Sequence, residues 1–179
     1  MTKNIRQLFD EYMYECEFVQ GLKPETLHGY RQNFATLMKL MPEISLESLT
    51  PDNMLRFFKI LQERNRIIGK GIILNGVTRS TIATYWSKHN SFFEWLKIKG
   101  NISQNPLSVM KRPTPRYENK KFLKKEEIEK ILTAILTHSD STFLLKRNLV
   151  IFYILIFCGL RKGELLQLQI RDIDFEHKM

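Results

Sequence analysis

Cysteine is scarce: Cys16 and Cys158 are the only two in 179 residues, and they lie far apart in segments of helical pattern. That excludes a disulfide framework. The four histidines are scattered, so no set of side chains has the spacing of a metal site, and a reducing cytosol is the expected compartment. Long apolar runs are also missing. The longest, Leu149 to Leu160, covers twelve residues interrupted only by Tyr153, Cys158 and Gly159, against about 20 needed to span a bilayer. It reads as a helix buried in a protein core. The amino terminus, MTKNIRQLFDEYMYECEF, is polar and helical in pattern and lacks the apolar core of a signal peptide. No basic amphipathic helix with an aromatic insertion face stands out, so a cytoplasmic protein without membrane association is expected. Gly69-Lys70-Gly71 matches neither the Walker spacing nor the dinucleotide fingerprint, and no cofactor is expected.

Positive charge is abundant and unevenly spread. The net charge is +9; residues 1–50 carry five Lys or Arg against seven Asp or Glu, whereas residues 51–125 carry sixteen against four. A local excess of this kind fits a surface that faces a polyanion, and nucleic acid is the favoured partner. With 43% hydrophobic residues the chain can bury one ordinary core or two small ones.

The first half reads as four helices. Ile5, Leu8, Phe9, Tyr12, Met13, Cys16 and Val19 form one apolar stripe, closed by Gly21. Pro24 opens a second helix at a first-turn position, with Leu27, Tyr30, Phe34, Leu37, Met38 and Met41 as its stripe up to Pro42. Thr50-Pro51-Asp52 starts a third, running to about Arg64, and RNRIIGKGIILNGV follows as a long loop or short hairpin. The fourth begins near Thr78 and buries Ile82, Tyr85, Trp86, His89, Phe92, Phe93 and Leu96, with His89 expected as a hydrogen-bonded core histidine. Its opposite face carries Arg79, Ser80, Thr84, Ser87, Lys88 and Ser91, with no acid. Short hydroxyl side chains between basic ones let a helix approach a phosphate backbone closely while still supplying donors.

Asn105-Pro106 ends the helical region, and KRPTPRYENKK follows as a stiffened basic linker. Residues 113–121 reach roughly 30 Å when extended, enough to run beside a duplex. The candidate DNA-contacting residues are His28, Arg31, Lys70, Arg79, Ser80, Thr81, Thr84, Lys88, Arg112, Arg116, Lys120 and Lys121. Beyond the linker, Ile128, Ile131, Leu132, Ile135 and Leu136 mark a further helix, and a polar break at residues 138–142 separates it from the apolar run. The last residues, 175–179, read as the start of a strand.

That run leads into Cys158-Gly159-Leu160-Arg161-Lys162-Gly163-Glu164-Leu165-Leu166-Gln167-Leu168, then Ile170-Arg171-Asp172-Ile173-Asp174. Gly159 can adopt positive φ and end the helix, which puts Arg161 in a tight turn at the edge of the apolar interior. A guanidinium there is either paired, with Glu164 three residues on, or awaiting an anion. The string resembles the first-arginine box of the tyrosine recombinases, the phage integrase family, in which Gly-Leu-Arg-x-Gly-Glu-Leu precedes a Leu and an Asp-Ile. The first half is similar too: Thr26 and Tyr30, Phe93-Glu94-Trp95-Leu96, Asn105-Pro106, the Lys/Pro linker and Leu123 with Glu127.

The resemblance implies a mainly α chain: a four-helix, SAM-like core-binding bundle over residues 1–111, a linker over 112–121, and the incomplete, mostly helical beginning of a catalytic domain over 122–179. It implies a C-shaped clamp on double-stranded DNA and strand cleavage through a 3′-phosphotyrosine link, without metal or nucleotide. Arg161 would grip the scissile phosphate and Glu164 would support it. The family's lysine, second arginine and nucleophilic tyrosine lie downstream of such a box; none of Tyr12, Tyr14, Tyr30, Tyr85, Tyr117 and Tyr153 is assigned as nucleophile. The expectation is a site-specific recombinase, tetrameric on DNA at full length, whose present 179 residues are monomeric and bind DNA without cutting it. The alternatives are a noncatalytic DNA-binding regulator on the same bundle and a helical protein-interaction module.

Overall fold

The computed structural model describes residues 3–69, 71–115 and 122–174. The chain folds as two compact units, residues 1–118 and 119–179. The first contains α1 (Ile5–Phe18), α2 (Pro24–Leu40), α3 (Pro51–Glu63), an antiparallel hairpin of β1 (Asn65–Ile68) and β2 (Ile72–Asn75), and α4 (Arg79–Ile98).

Three of the helices begin where a side chain satisfies free amides of the first turn, and α2 begins on Pro24, which has no amide hydrogen to satisfy. Asn4 and Gln7 cap α1 reciprocally: Asn4 Oδ1 accepts from the Gln7 amide and Gln7 Oε1 from the Asn4 amide, both at 2.9 Å. The side chains of Thr50 and Thr78 accept from the amides of Asn53 and Thr81, each at 3.3 Å, starting α3 and α4.

The four apolar stripes meet in one core. Phe9 stacks on Phe34 at 3.8 Å between ring centroids and meets the edge of Phe92 at 5.2 Å. Phe57, Leu61, Phe93 and Leu96 are fully buried with them. Leu107 seals the end of the bundle, and Asn105 holds the turn that carries it. Asn105 Nδ2 donates to Asn90 Oδ1 and Glu94 Oε1 at 2.9 and 2.7 Å, and its Oδ1 accepts from the Leu107 amide at 2.8 Å. Val19 departs from the expected stripe: α1 stops at Phe18, so the next side chain turns into solvent.

His89 is buried as expected, between Tyr85 and Phe93 and edge-on to Phe57, but its Nε2 has no hydrogen-bond partner. Burial pushes its imidazolium down to a pKa of about 3.

The second unit contains α5 (Lys125–Thr137), α6 (Thr142–Tyr153), one π-helical turn (Ile154–Cys158), α7 (Lys162–Gln167) and a 3-10 turn (Ile170–Asp172). Two expectations are corrected here. The apolar run 149–160 is not one buried helix: it passes from α6 into the π turn and stops at Gly159, φ 64°. Nor is it enclosed, since Phe152 is its only buried residue and Phe157 is largely exposed. α5 packs against α6, and two helices of 13 and 12 residues offer too little apolar surface to surround a third element.

Candidate nucleic-acid interface

α4 buries Ile82, Ala83, His89, Phe92 and Phe93, and at 3.6 residues per turn this turns Ser80, Thr84, Ser87, Lys88 and Ser91 toward α2 and the solvent. Two adjoining depressions lie along that seam. One, of about 580 Å³, is lined by Gln32, Asn33, Thr36, Ser80, Thr81, Thr84 and Tyr85; the other, of about 560 Å³, by Tyr30, Ser80, Thr84, Ser87, Lys88, Ser91, Arg112 and Pro115. Ser80 and Thr84 border both, so the two form one trough.

Its lining is chemically specific. Thr84 Oγ1 and Ser91 Oγ donate to the carbonyls of Ser80 and Ser87, one turn back, each at 3.1 Å. Their hydrogens are engaged, which departs from the free donors expected on this face: each hydroxyl donates to a phosphate oxygen only after rotating away from its carbonyl. Tyr85 Oη donates to Thr36 Oγ1 at 3.3 Å and ties α4 to α2. Lys88 supplies the charge: its Nζ lies 4.4 Å from the Tyr30 ring centroid, a cation–π contact. A Cβ on residue 29 would come within 2.7 Å of that Nζ, so Gly29 makes the room it occupies.

The sequence-derived candidates distribute unevenly. Ser80, Thr81, Thr84, Lys88 and Arg112 line the trough. Arg79 stands exposed in the first turn of α4. His28 is exposed on α2, its Nε2 2.8 Å from Gln32 Nε2. Arg31 turns instead to α1, where its guanidinium pairs with Glu17 at 3.4 Å. Lys70, Arg116, Lys120 and Lys121 lie outside the described residues, as do Tyr117 and the strand expected at 175–179. Gln32, Asn33, Thr36 and the Gly29–Tyr30 seat were not singled out from the sequence. The glycine inside a helical pattern at position 29 was the available signal.

In the second unit Arg161 is the N-cap of α7. Its amide donates to Glu164 Oε2 at 2.7 Å and its Nη1 to Glu164 Oε1 at 3.1 Å. Those two bonds, the amide first, hold the Glu164 carboxyl below the usual carboxylate range. The Arg161 side chain is 86% exposed, which corrects the expected position at the edge of an apolar interior. Among the described residues α6 and the π turn are uncovered, so none of them forms an interior beside it. One nitrogen of the fork is engaged by Glu164, and the fork itself is accessible to solvent.

Among the described residues no group of His, Cys, Asp and Glu could hold a metal ion, and no helix is long and apolar enough to cross a membrane.

The chain is similar to known proteins. A tyrosine recombinase of Thermosipho africanus is 31% identical over 118 residues, 65% of this chain and 40% of that protein. The tyrosine recombinase XerD of Listeria innocua is 26% identical over 174 residues, 96% of this chain and 54% of that protein. The tyrosine recombinase XerC of Vibrio vulnificus is 24% identical over 173 residues, 97% of this chain and 51% of that protein. The chain is similar to tyrosine recombinases along nearly its whole length. The similarity runs through both units, since two of these matches cover nearly all of the chain. The chain spans about half the length of the curated relatives it matches. No protein-family model matches it, and no solved structure matches it significantly.

Proposed function

We propose that these 179 residues are the DNA-gripping portion of a site-specific recombinase, acting in the cytoplasm on a double-stranded recombination half-site. Residues 1–111 would be the core-binding domain, 112–121 a linker lying beside the duplex, and 122–179 the beginning of the domain that cuts and rejoins strands. The observation that carries this reading is the α2–α4 trough, in which Lys88 is held by Tyr30 and Gly29 beside Arg112. No Asp or Glu occurs from Arg64 to Phe93. A phosphate backbone passing along the trough meets cations and hydroxyls and no repelling carboxylate.

Arg161 has the form needed at a reacting phosphodiester. Transfer of a phosphoryl group spreads negative charge over the nonbridging oxygens, and a guanidinium fork binds two of them at once. Glu164, already holding the Arg161 backbone and one nitrogen, would aim that fork. None of the six tyrosines of this stretch is assigned as nucleophile, so by itself it binds without cleaving. We take it to be monomeric in solution, and the full-length recombinase to assemble as a tetramer on DNA.

Two measurements test the reading. Adding a 30-base-pair duplex to isotopically labelled protein is expected to shift amide resonances of residues 30–36, 80–91 and 112, and shifts elsewhere alone would overturn the trough as the interface. A nicked suicide duplex is expected to leave no covalent adduct. An adduct stable to denaturant would overturn the assignment of binding without cleavage.

A further inference from the structure

The hairpin between α3 and α4 is not needed to close the bundle, and it carries a surface of its own. Ile67 pairs with Ile73 on one face and Ile68 with Ile72 on the other, and all four, with Leu74, are exposed: Ile67 by 77% and Ile73 by 66%. A lone two-stranded ribbon is marginal in water, yet this one is held firmly at its base. The Gly76 amide donates to the Arg64 carbonyl at 2.8 Å, and Arg66 Nε donates to the Gly76 carbonyl at 2.6 Å. Gly76 has φ +63°, and a Cβ there would run into the Gln62 carbonyl, so only glycine fits. Three residues later α4 begins, at the end of the trough bordered by Ser80 and Thr81.

We propose that this hairpin is a second DNA-contacting element, a β-ribbon that enters the major groove beside the trough and sets its isoleucine pairs against thymine methyl groups. The inference rests on the trough being a DNA interface. The charge of the chain at the ribbon selects the occupant: the acid-free stretch from Arg64 to Phe93 includes the whole hairpin, with Arg64 and Arg66 at its base and Arg79 at the start of α4. A polyanion is matched by that field. The dimensions agree, since two strands about 4.8 Å apart fit a groove about 12 Å wide that admits such ribbons. Strands of four residues reach about 13 Å from their base. Apolar contact with the C5-methyl group is one way a side chain without hydrogen-bonding groups tells thymine from the other bases.

The test uses the full chain, a fluorescent 30-base-pair duplex of mixed sequence, and its twin with deoxyuridine replacing thymidine. Wild type is expected to prefer the thymidine duplex at least threefold. The double variant Ile67→Thr/Ile73→Thr, which keeps β-branching, is expected to bind three- to tenfold more weakly, to lose the preference, and to melt at the same temperature. Equal wild-type affinity for the two duplexes overturns the inference, and that comparison requires no variant. If Lys88→Ala weakens binding while the isoleucine variant binds like wild type, the hairpin falls and the trough stands. Failure of wild type to bind either duplex overturns both. A variant that changes the sedimentation of the free protein and not its DNA affinity identifies the ribbon as a protein-docking surface and also overturns the inference.

Discussion

Lys88 Nζ occupies the space above Gly29 where any other residue would place its Cβ, 2.7 Å away. One helix thereby sets the position of a cation carried by the other. Gly29→Ala therefore separates stability from binding. Alanine inside a helix gains about 0.5–1 kcal/mol over glycine, and the group it displaces is the far end of a flexible side chain. The expected outcome is an unchanged or higher urea midpoint together with a several-fold loss of affinity for duplex DNA. Urea titration and fluorescence anisotropy measure the two.

His89 makes the bundle sensitive to mild acid. Its folded pKa, about 3, lies below the ordinary value of 6.5, so between these limits the unfolded chain binds the proton and the folded one does not. Stability therefore rises with pH across that window and falls as pH drops below 6.5. At pH 4.5 the loss amounts to about 2–3 kcal/mol, from 1.36 kcal/mol per pH unit. His89→Phe is expected to remove most of the difference between urea unfolding at pH 7 and pH 5.5, a range above the ordinary carboxylate value of 4.5 from which Glu15, Glu47 and Glu164 are lowered.

Asn105 is the polar pin of the bundle. Asn105→Ala removes three hydrogen bonds made at a site only 1% exposed, leaving the Leu107 amide without its acceptor. Buried groups stranded in this way cost about 1–3 kcal/mol each. A fall in stability of about 2–3 kcal/mol is expected in urea titration, accompanied by faster hydrogen exchange at Leu107.

Glu164 contributes an acceptor to the start of α7 as well as a charge. Glu164→Gln retains an oxygen for the Arg161 amide and Glu164→Ala does not, so amide exchange at Arg161 and Leu165 is expected to quicken much more in the alanine variant. If Gln and Ala behave alike, the cap observed at 2.7 Å does not organise this turn.

The first unit was legible because its apolar residues recur at helical spacing and its starts carry Pro24, Thr50 and Thr78. A stripe names the buried face whatever lies opposite. The second unit was less legible for the same reason: the run from Leu149 to Leu160 shows which side chains call for cover, and nothing in it states whether cover is at hand. In the trough, Ser80, Thr84, Lys88 and Arg112 could be picked from sequence by the missing acids. Arg31 could not be placed, because its partner Glu17 lies fourteen residues back on another helix. Lys88 could be named, but its seat on Tyr30 and Gly29 depends on α2 packing beside α4, which spacing along one helix does not encode.

The salt dependence of duplex binding tests the central claim most directly. Each phosphate neutralised contributes about 0.9 to the slope of log K against log salt concentration, so contacts from Arg79, Lys88, Arg112 and Arg161 correspond to a slope of about −3 to −4. The account predicts a slope at least that steep for wild type between 50 and 200 mM salt, since the linker's Arg116, Lys120 and Lys121 add to it, and a slope shallower by about 1 in Lys88→Ala and in Arg161→Ala. Binding indifferent to salt, or no binding at 50 mM, would contradict it.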